Sequence, residues 1–211
     1  AEGKALLLRR GEDPLELCSD ARAISWDGRE ILVARGEQVL AFDAHGKRGE
    51  THQAGTGAVA ALRLGESLVL ASEDGSIELV PAADGTSAER TALDDVPDST
   101  ALRLLRGPRG TVIIGFTSGH IGIWDTQTGV QLDHVRLFGP VVQIGIAQNT
   151  LYAATETGEH VAWDLSAYFR DYCELLQDVW REVPVSWEGG RPIEKSPPEG
   201  HRCLARRASR P

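Results

Sequence analysis

The sequence predicts an all-β chain: a β-propeller-like array of four or five antiparallel blades, followed by a C-terminal amphipathic helix and a tail. Three observations predict it. Four segments line up with a period near forty residues. Within each, a Val/Ile/Leu-rich run is followed by a glycine turn and then by an alternating run ending in a large or apolar residue. The offset inside each segment is constant, which chance repetition does not give.

The second runs are Ile31-Leu32-Val33-Ala34, Leu68-Val69-Leu70-Ala71, Val112-Ile113-Ile114-Gly115 and Leu151-Tyr152-Ala153-Ala154. The turn glycines are Gly36, Gly75, Gly119 and Gly158, separated by 39, 44 and 39 residues. The run-ending residues are Phe42, Val80, Trp124 and Trp163, five or six residues after each glycine. Short β-branched runs bounded by Gly, Asp and Asn read as strands, not helices. Asp27-Gly28, Asp74-Gly75, Ser118-Gly119 and Thr157-Gly158 supply the positive φ that tight hairpins need. First strands are expected at residues 21–26, 59–64, 101–105 and 141–146, lining the axis. One meander cannot cover both of its faces, whereas radial stacking covers each with its neighbours. Residues 5–9 read as a closing strand for the blade at residues 141–164, since an open sheet edge invites aggregation.

The segments Ser72-Glu73-Asp74-Gly75-Ser76-Ile77-Glu78-Leu79-Val80, Ser118-Gly119-His120-Ile121-Gly122-Ile123-Trp124-Asp125 and Thr157-Gly158-Glu159-His160-Val161-Ala162-Trp163-Asp164 resemble the WD40-repeat family. The resemblance covers about residues 20–166. It implies that Trp-Asp closes the third strand of a blade, and that the chain is a scaffold holding subunits of a complex. In bacteria it implies parts of signalling or defence assemblies. Phe42-Asp43 and Val80-Pro81 stand where the first two repeats would carry Trp-Asp. The Gly-His dipeptide is absent ahead of the first strands, so that family's buried Asp–His–Ser/Thr–Trp network is not expected in full. The family's usual seven blades exceed this length. The chain is therefore a small ring, a piece of a larger one, or a ring whose missing blades a partner supplies.

Ser166 reads as an N-cap, and residues 167–181 show helical periodicity ended by Pro184. Tyr168, Tyr172, Leu175, Leu176 and Val179 share one face, flanked by Phe169, Cys173 and Trp180. This stripe either packs on the propeller or docks a partner. The expected organisation is residues 1–166 as blades with the closing strand, 167–188 as helix and short extension, and 189–211 as a basic Gly/Pro-rich tail. Residues 190–211 hold Arg191, Lys195, Arg202, Arg206, Arg207 and Arg210 against Glu194 and Glu199. The tail is expected to be solvated, or to dock on an acidic surface.

The net charge of −9 disfavours nucleic acid and anionic lipid, and no apolar run is long enough to span a membrane. There is no Met, which predicts a processed product or a piece of a longer protein. No signal segment is recognisable in residues 1–10. Nineteen Arg against three Lys suggests a GC-rich, bacterial coding bias. Cys18, Cys173 and Cys203 form no paired motif and predict reduced cytoplasmic thiols.

Motifs for catalysis are absent or out of context. Gly115-Phe116-Thr117-Ser118-Gly119 lacks the central Ser of a nucleophile elbow. Gly55-Thr56-Gly57-Ala58-Val59-Ala60 follows a polar stretch where a dinucleotide loop needs a strand. Cys173, His201 and Cys203 lack paired zinc-ligand spacing. No cofactor and no metal is expected, and the chain is expected not to be an enzyme. The candidate partner-binding residues are Trp26, Arg106, Arg109, Phe138, Tyr168, Tyr172, Trp180 and Trp187. These are residue types enriched at interface hot spots. The alternative is a small anion or ligand in the central channel, held by Arg63 and Arg103, which the repeat alignment places at equivalent positions.

Overall fold

The computed structural model describes all residues except 1–2, 27–28, 55–56, 82–89, 184, 195–199 and 206–211, and, inside elements, the side chains of 186, 187, 194 and 205. Asp27-Gly28, Gly55-Thr56, Pro184, Lys195, Glu199, Arg206, Arg207, Arg210 and the side chains of Trp187 and Glu194 lie outside the described residues. The chain divides into two compact units, Ala1–Trp163 and Asp164–Pro211. No helix is long and apolar enough to cross a membrane among the described residues.

The first unit opens with a hairpin of β1 (Gly3–Leu7) and β2 (Leu15–Ala21). Blade one follows as β3 (Ala23–Trp26), β4 (Glu30–Arg35), β5 (Gln38–Asp43) and β6 (Arg48–Gln53). Blade two is β7 (Ala58–Leu64), β8 (Ser67–Ser72), β9 (Ile77–Pro81) and the short β10 (Thr91–Ala92). Blade three is β11 (Ala101–Arg106), β12 (Thr111–Phe116), β13 (His120–Asp125) and β14 (Gln131–Arg136). Blade four is β15 (Val141–Ala147), β16 (Thr150–Thr155) and β17 (His160–Asp164). Each is an antiparallel meander in chain order, three with four strands and the last with three. This is a β-propeller-like array of four blades, with its four first strands close to where the repeat puts them.

The apolar runs are explained by burial on both faces. All six residues of β12 are buried, so no polar alternation is needed. Successive side chains serve opposite neighbours. In blade two, Ala60, Leu62, Val69 and Ala71 join Val112, Ile114 and Trp124 of blade three. Ala61, Leu68 and Leu70 join Leu32, Ala34, Val39 and Ala41 of blade one. Each buried Leu, Ile or Val contributes roughly 1.5–3 kcal/mol, so the inter-blade layers hold the unit together. The fully buried Trp124 donates its indole N–H to the Asp94 carbonyl at 2.7 Å. Its ring folds over Gly122, where a Cβ would stand 2.3 Å from the ring.

The four repeat glycines sit at matching tips between second and third strands, with φ of 54°, 87°, 82° and 89°. A Cβ on Gly119 would lie 2.0 Å from the Leu137 carbonyl oxygen, whereas one on Gly158 would meet open space. First strands pack in succession, β3 on β7, β7 on β11 and β11 on β15. No comparable packing joins blade four to blade one among the described residues, so this unit is an open array.

The N-terminal strand does not close the last blade. β1 pairs with β2 instead, in the register Ala5–Cys18, Leu6–Glu16 and Leu7–Leu15. Ala5, Leu7 and Leu17 pack on Ile31, Val33, Leu40 and Phe42 of blade one. The reason is local: ten residues after Ala5 comes a second apolar strand, Leu15–Ala21, and a nearby antiparallel partner forms at small entropic cost.

In the second unit the expected continuous helix is broken. α1 (Ser166–Phe169) ends at Arg170, whose ψ of 150° is extended. α2 (Tyr172–Glu182) starts anew, capped by the Asp171 carboxylate, which accepts the Cys173 amide. Ser166 is not a cap; its amide donates to Asp164 at 2.8 Å. β18 (Val185–Glu188) and β19 (Arg191–Glu194) form a hairpin, and α3 (Arg202–Ala205) follows. The thiol expectation is overturned for two of the three cysteines. Cys173 and Cys203 are disulfide-bonded, with Cα atoms 4.9 Å apart across 30 residues. Gln177 Nε2 supports the pairing by donating to the Cys203 carbonyl at 2.5 Å. Such a bridge persists in oxidising surroundings, so the cysteines no longer argue for a cytoplasmic chain. It also takes up two of the three residues weighed as zinc ligands, while Cys18 stays free.

Two outcomes follow in denaturant melts. Gly119→Ala carries a steric clash in addition to the left-handed strain, about 1–2 kcal/mol, that Gly158→Ala also carries, so it destabilises the first unit more. Cys203→Ser removes a cross-link closing a 30-residue loop and lowers the stability of the second unit by about 3 kcal/mol, leaving the first unit unchanged.

Candidate functional site

Large apolar side chains are offered to solvent at the first end of the blade array and in the link between blades three and four. Trp26 ends β3 opposite Ile31, and is 52% exposed; Ile24, on the same face, is 53% exposed. Between this face and the hairpin lies an apolar groove of about 360 Å³, lined by Leu6, Leu7, Leu17, Ile24, Trp26 and Ile31. Trp26 was legible as a large residue beside a turn. Leu6 and Leu7 were not, because nothing local reveals that β1 would fold against blade one.

Phe138 is the most exposed large apolar residue described, at 77%. Its backbone is held on both sides, the amide donating to Glu159 and the carbonyl accepting from Thr157 Oγ1 at 2.7 Å. The neighbouring Gly139 supplies a φ of 91°. Arg109 stands at a sharp turn (Pro108–Gly110) with a left-handed φ of 48°, beside the buried Pro108. Arg106 instead reaches across a blade boundary, donating to the Arg63 carbonyl at 2.9 Å.

The remaining candidates belong to the second unit. Tyr172 is 53% exposed, with the Arg202 guanidinium 5.3 Å from its ring centroid. Trp180 meets His201 edge-on at 5.2 Å. Tyr168 is half-buried at the end of the chain's first helical turn. Trp187 is placed only by its backbone, opposite Pro192.

The two channel arginines do not share a position. Strand register aligns Arg63, opposite Leu68, with Arg106, opposite Val112; Arg103 opposes Gly115 and aligns with Ala60. Arg63 pairs with Glu30 of blade one, with Glu50 3.8 Å away. Arg103 donates to the Val142 carbonyl of blade four at 2.8 Å. Arg90 adds another link, from Glu78 to the Gln53 carbonyl at 2.9 Å. These guanidinium forks staple one blade to the next instead of converging on an anion.

Sequence reasoning missed one recurring role. Asp43, Asp125 and Asp164 each end a third strand and accept backbone amides from the turn that follows. Backbone and hydroxyl hydrogen bonds hold Asp43 and Asp164 below the usual carboxylate range, Asp43 through Lys47 first and Asp164 through Ser166. The Asp of the Trp-Asp pair therefore serves the turn. No group of three or more metal-ligating side chains occurs among the described residues.

No protein-family model and no curated protein matches the sequence. Solved structures do. The computationally designed Ika4 protein matches with a TM-score of 0.57 at 18% identity, over 69% of this chain and 91% of that one. The β-propeller domain of Cps50 (Swd1) from Myceliophteria thermophila matches with a TM-score of 0.53 at 18% identity, over 67% of this chain and 51% of that one. A chain of the Mitotic Checkpoint Complex matches with a TM-score of 0.66 at 15% identity, over 79% of this chain and 56% of that one. This chain spans about half the length of those natural proteins. The likeness is one of fold.

His52 gives this frame an acid-sensitive seam. It is 4% exposed, and burial first, then the Arg63 charge, push its imidazole below the usual value. The unfolded chain therefore binds the proton that the folded one resists, so stability falls as pH drops below about 6.5, the ordinary histidine value. Melts at pH 5.5 and 7.5 are expected to show this loss, and His52→Phe to reduce it.

Proposed function

We propose that the chain is a non-catalytic scaffold of WD40-like type that holds protein partners within a complex. The observation that carries this is Phe138, a large apolar side chain in water on a backbone already anchored by Glu159 and Thr157. A side chain held ready in this way loses little further freedom on binding. Exposed Trp26, Tyr152 and Tyr172 add surface of the type enriched at hot spots. Propeller blades supply the rigid frame such a surface needs, and two of the similar folds come from a Cps50 (Swd1) propeller domain and the Mitotic Checkpoint Complex. Channel chemistry has less support, because Arg63 and Arg103 point to opposite neighbours.

The test is photo-crosslinking with Phe138→p-benzoyl-Phe, paired with Phe138→Ala in affinity capture. A defined polypeptide is expected to cross-link at this position. Phe138→Ala is expected to weaken its capture about tenfold, or ~1.4 kcal/mol, with an unchanged melting temperature. Capture that is indifferent to Phe138→Ala would overturn the reading.

A further inference from the structure

Blade one has one incomplete neighbour. Its face toward the N-terminal side consists of Ile24 and Trp26 on β3, Ile31 and Val33 on β4, and Leu40 and Phe42 on β5. The hairpin covers four of these, since Ile31, Val33, Leu40 and Phe42 are at most 7% exposed. Ile24 and Trp26 stay half exposed.

Blade two shows what full cover looks like. Strand register makes Ala61 the counterpart of Ile24, and Arg63 the counterpart of Trp26. Ala61 is 5% exposed and packed on blade one, and the Arg63 side chain is 19% exposed against Glu30. What covers them is blade one's own first two strands, since β7 packs on β3 and β4. Among the described residues the N-terminal hairpin has no such strands. It stands in the chain where the third and fourth strands of a preceding blade would, an antiparallel pair just ahead of β3 as β5 and β6 are ahead of β7. In a complete blade the third strand has a second strand on its other edge. The sheet of β1 and β2 holds only those two strands among the described residues.

We propose that an antiparallel pair of strands from another polypeptide segment completes this half-blade. It pairs through its backbone with the free edge of β1 and lays apolar side chains over Ile24 and Trp26. The occupant follows from continuity, because the same first-strand packing already recurs at three blade boundaries of this chain. The groove of about 360 Å³ beneath the site is apolar on every side named, which fits alternating aliphatic residues and excludes a charged ligand. The inference rests on the scaffold reading and names its partner's chemistry.

The probe is a synthetic peptide of this chain's residues 58–72, whose Ala60, Leu62, Val69 and Ala71 face the next blade. It is added to the full chain, and the same segment is also fused ahead of residue 3 through a flexible linker. Hydrogen exchange along β1 is expected to slow about tenfold or more, and Trp26 to become less accessible to acrylamide, with Trp26→Asp abolishing the slowing along β1. Unchanged β1 exchange with peptide and fusion alike would overturn the proposal. So would a dimer of the chain alone with β1 already protected, because a second copy would then be the occupant. If β1 is unprotected while position 138 still cross-links a partner, blade completion fails and the scaffold reading stands.

Discussion

Everything in the first unit depends on a blade being apolar on both faces. A strand such as Thr111–Phe116 survives in water only between two other sheets, so every blade requires two neighbours. Interior blades find them within the chain. The ends do not find equal ones: blade one receives a two-stranded hairpin, and blade four presents Tyr152 at 52% exposure where the aligned Leu32, Val69 and Ile113 are almost wholly buried. The surfaces available for recognition are thus set by the packing rule. At the ends they are positions where the rule is left unsatisfied, and at Phe138 they lie on the link between two packed blades.

Charge follows the same geometry. Arginines at blade boundaries reach backward or forward along the array, Arg63 to Glu30, Arg106 to the Arg63 carbonyl and Arg103 to the Val142 carbonyl. A planar fork bonded to a neighbouring blade's carboxylate or carbonyl fixes orientation as well as adding an interaction. The Arg bias that reads as coding composition has a structural use here.

The blades were legible because periodicity, turn chemistry and burial agree in them. Gly36, Gly75, Gly119 and Gly158 required a positive φ, and each has one. The misreadings share a cause, which is that they concern pairings between separate segments. Residues 5–9 look like any closing strand, and their choice of the nearby β2 over blade four depends on a partner strand, Leu15–Ala21, whose polar Glu16, Ser19 and Asp20 blur its pattern. Cys173 and Cys203 carry no spacing motif, because they stand 30 positions apart with a hairpin between them that returns the chain. The repeat alignment makes Arg63 and Arg103 equivalent, whereas strand register sets Arg103 opposite Gly115 and aligns Arg63 with Arg106. Trp26 and Phe138 were identified from residue type, whereas their exposure follows from what fails to cover them.

Trp124 and Gly122 form a coupled pair. The indole occupies the volume a side chain at 122 would need, with a Cβ there only 2.3 Å from the ring. Under mutational drift neither position can change first: enlarging 122 expels the indole, and shrinking 124 leaves a void beside a bare backbone. Natural variants of this chain should therefore inherit the two residues together, or exchange both for a mid-sized pair such as the Leu40 and Phe42 found at the same places in blade one.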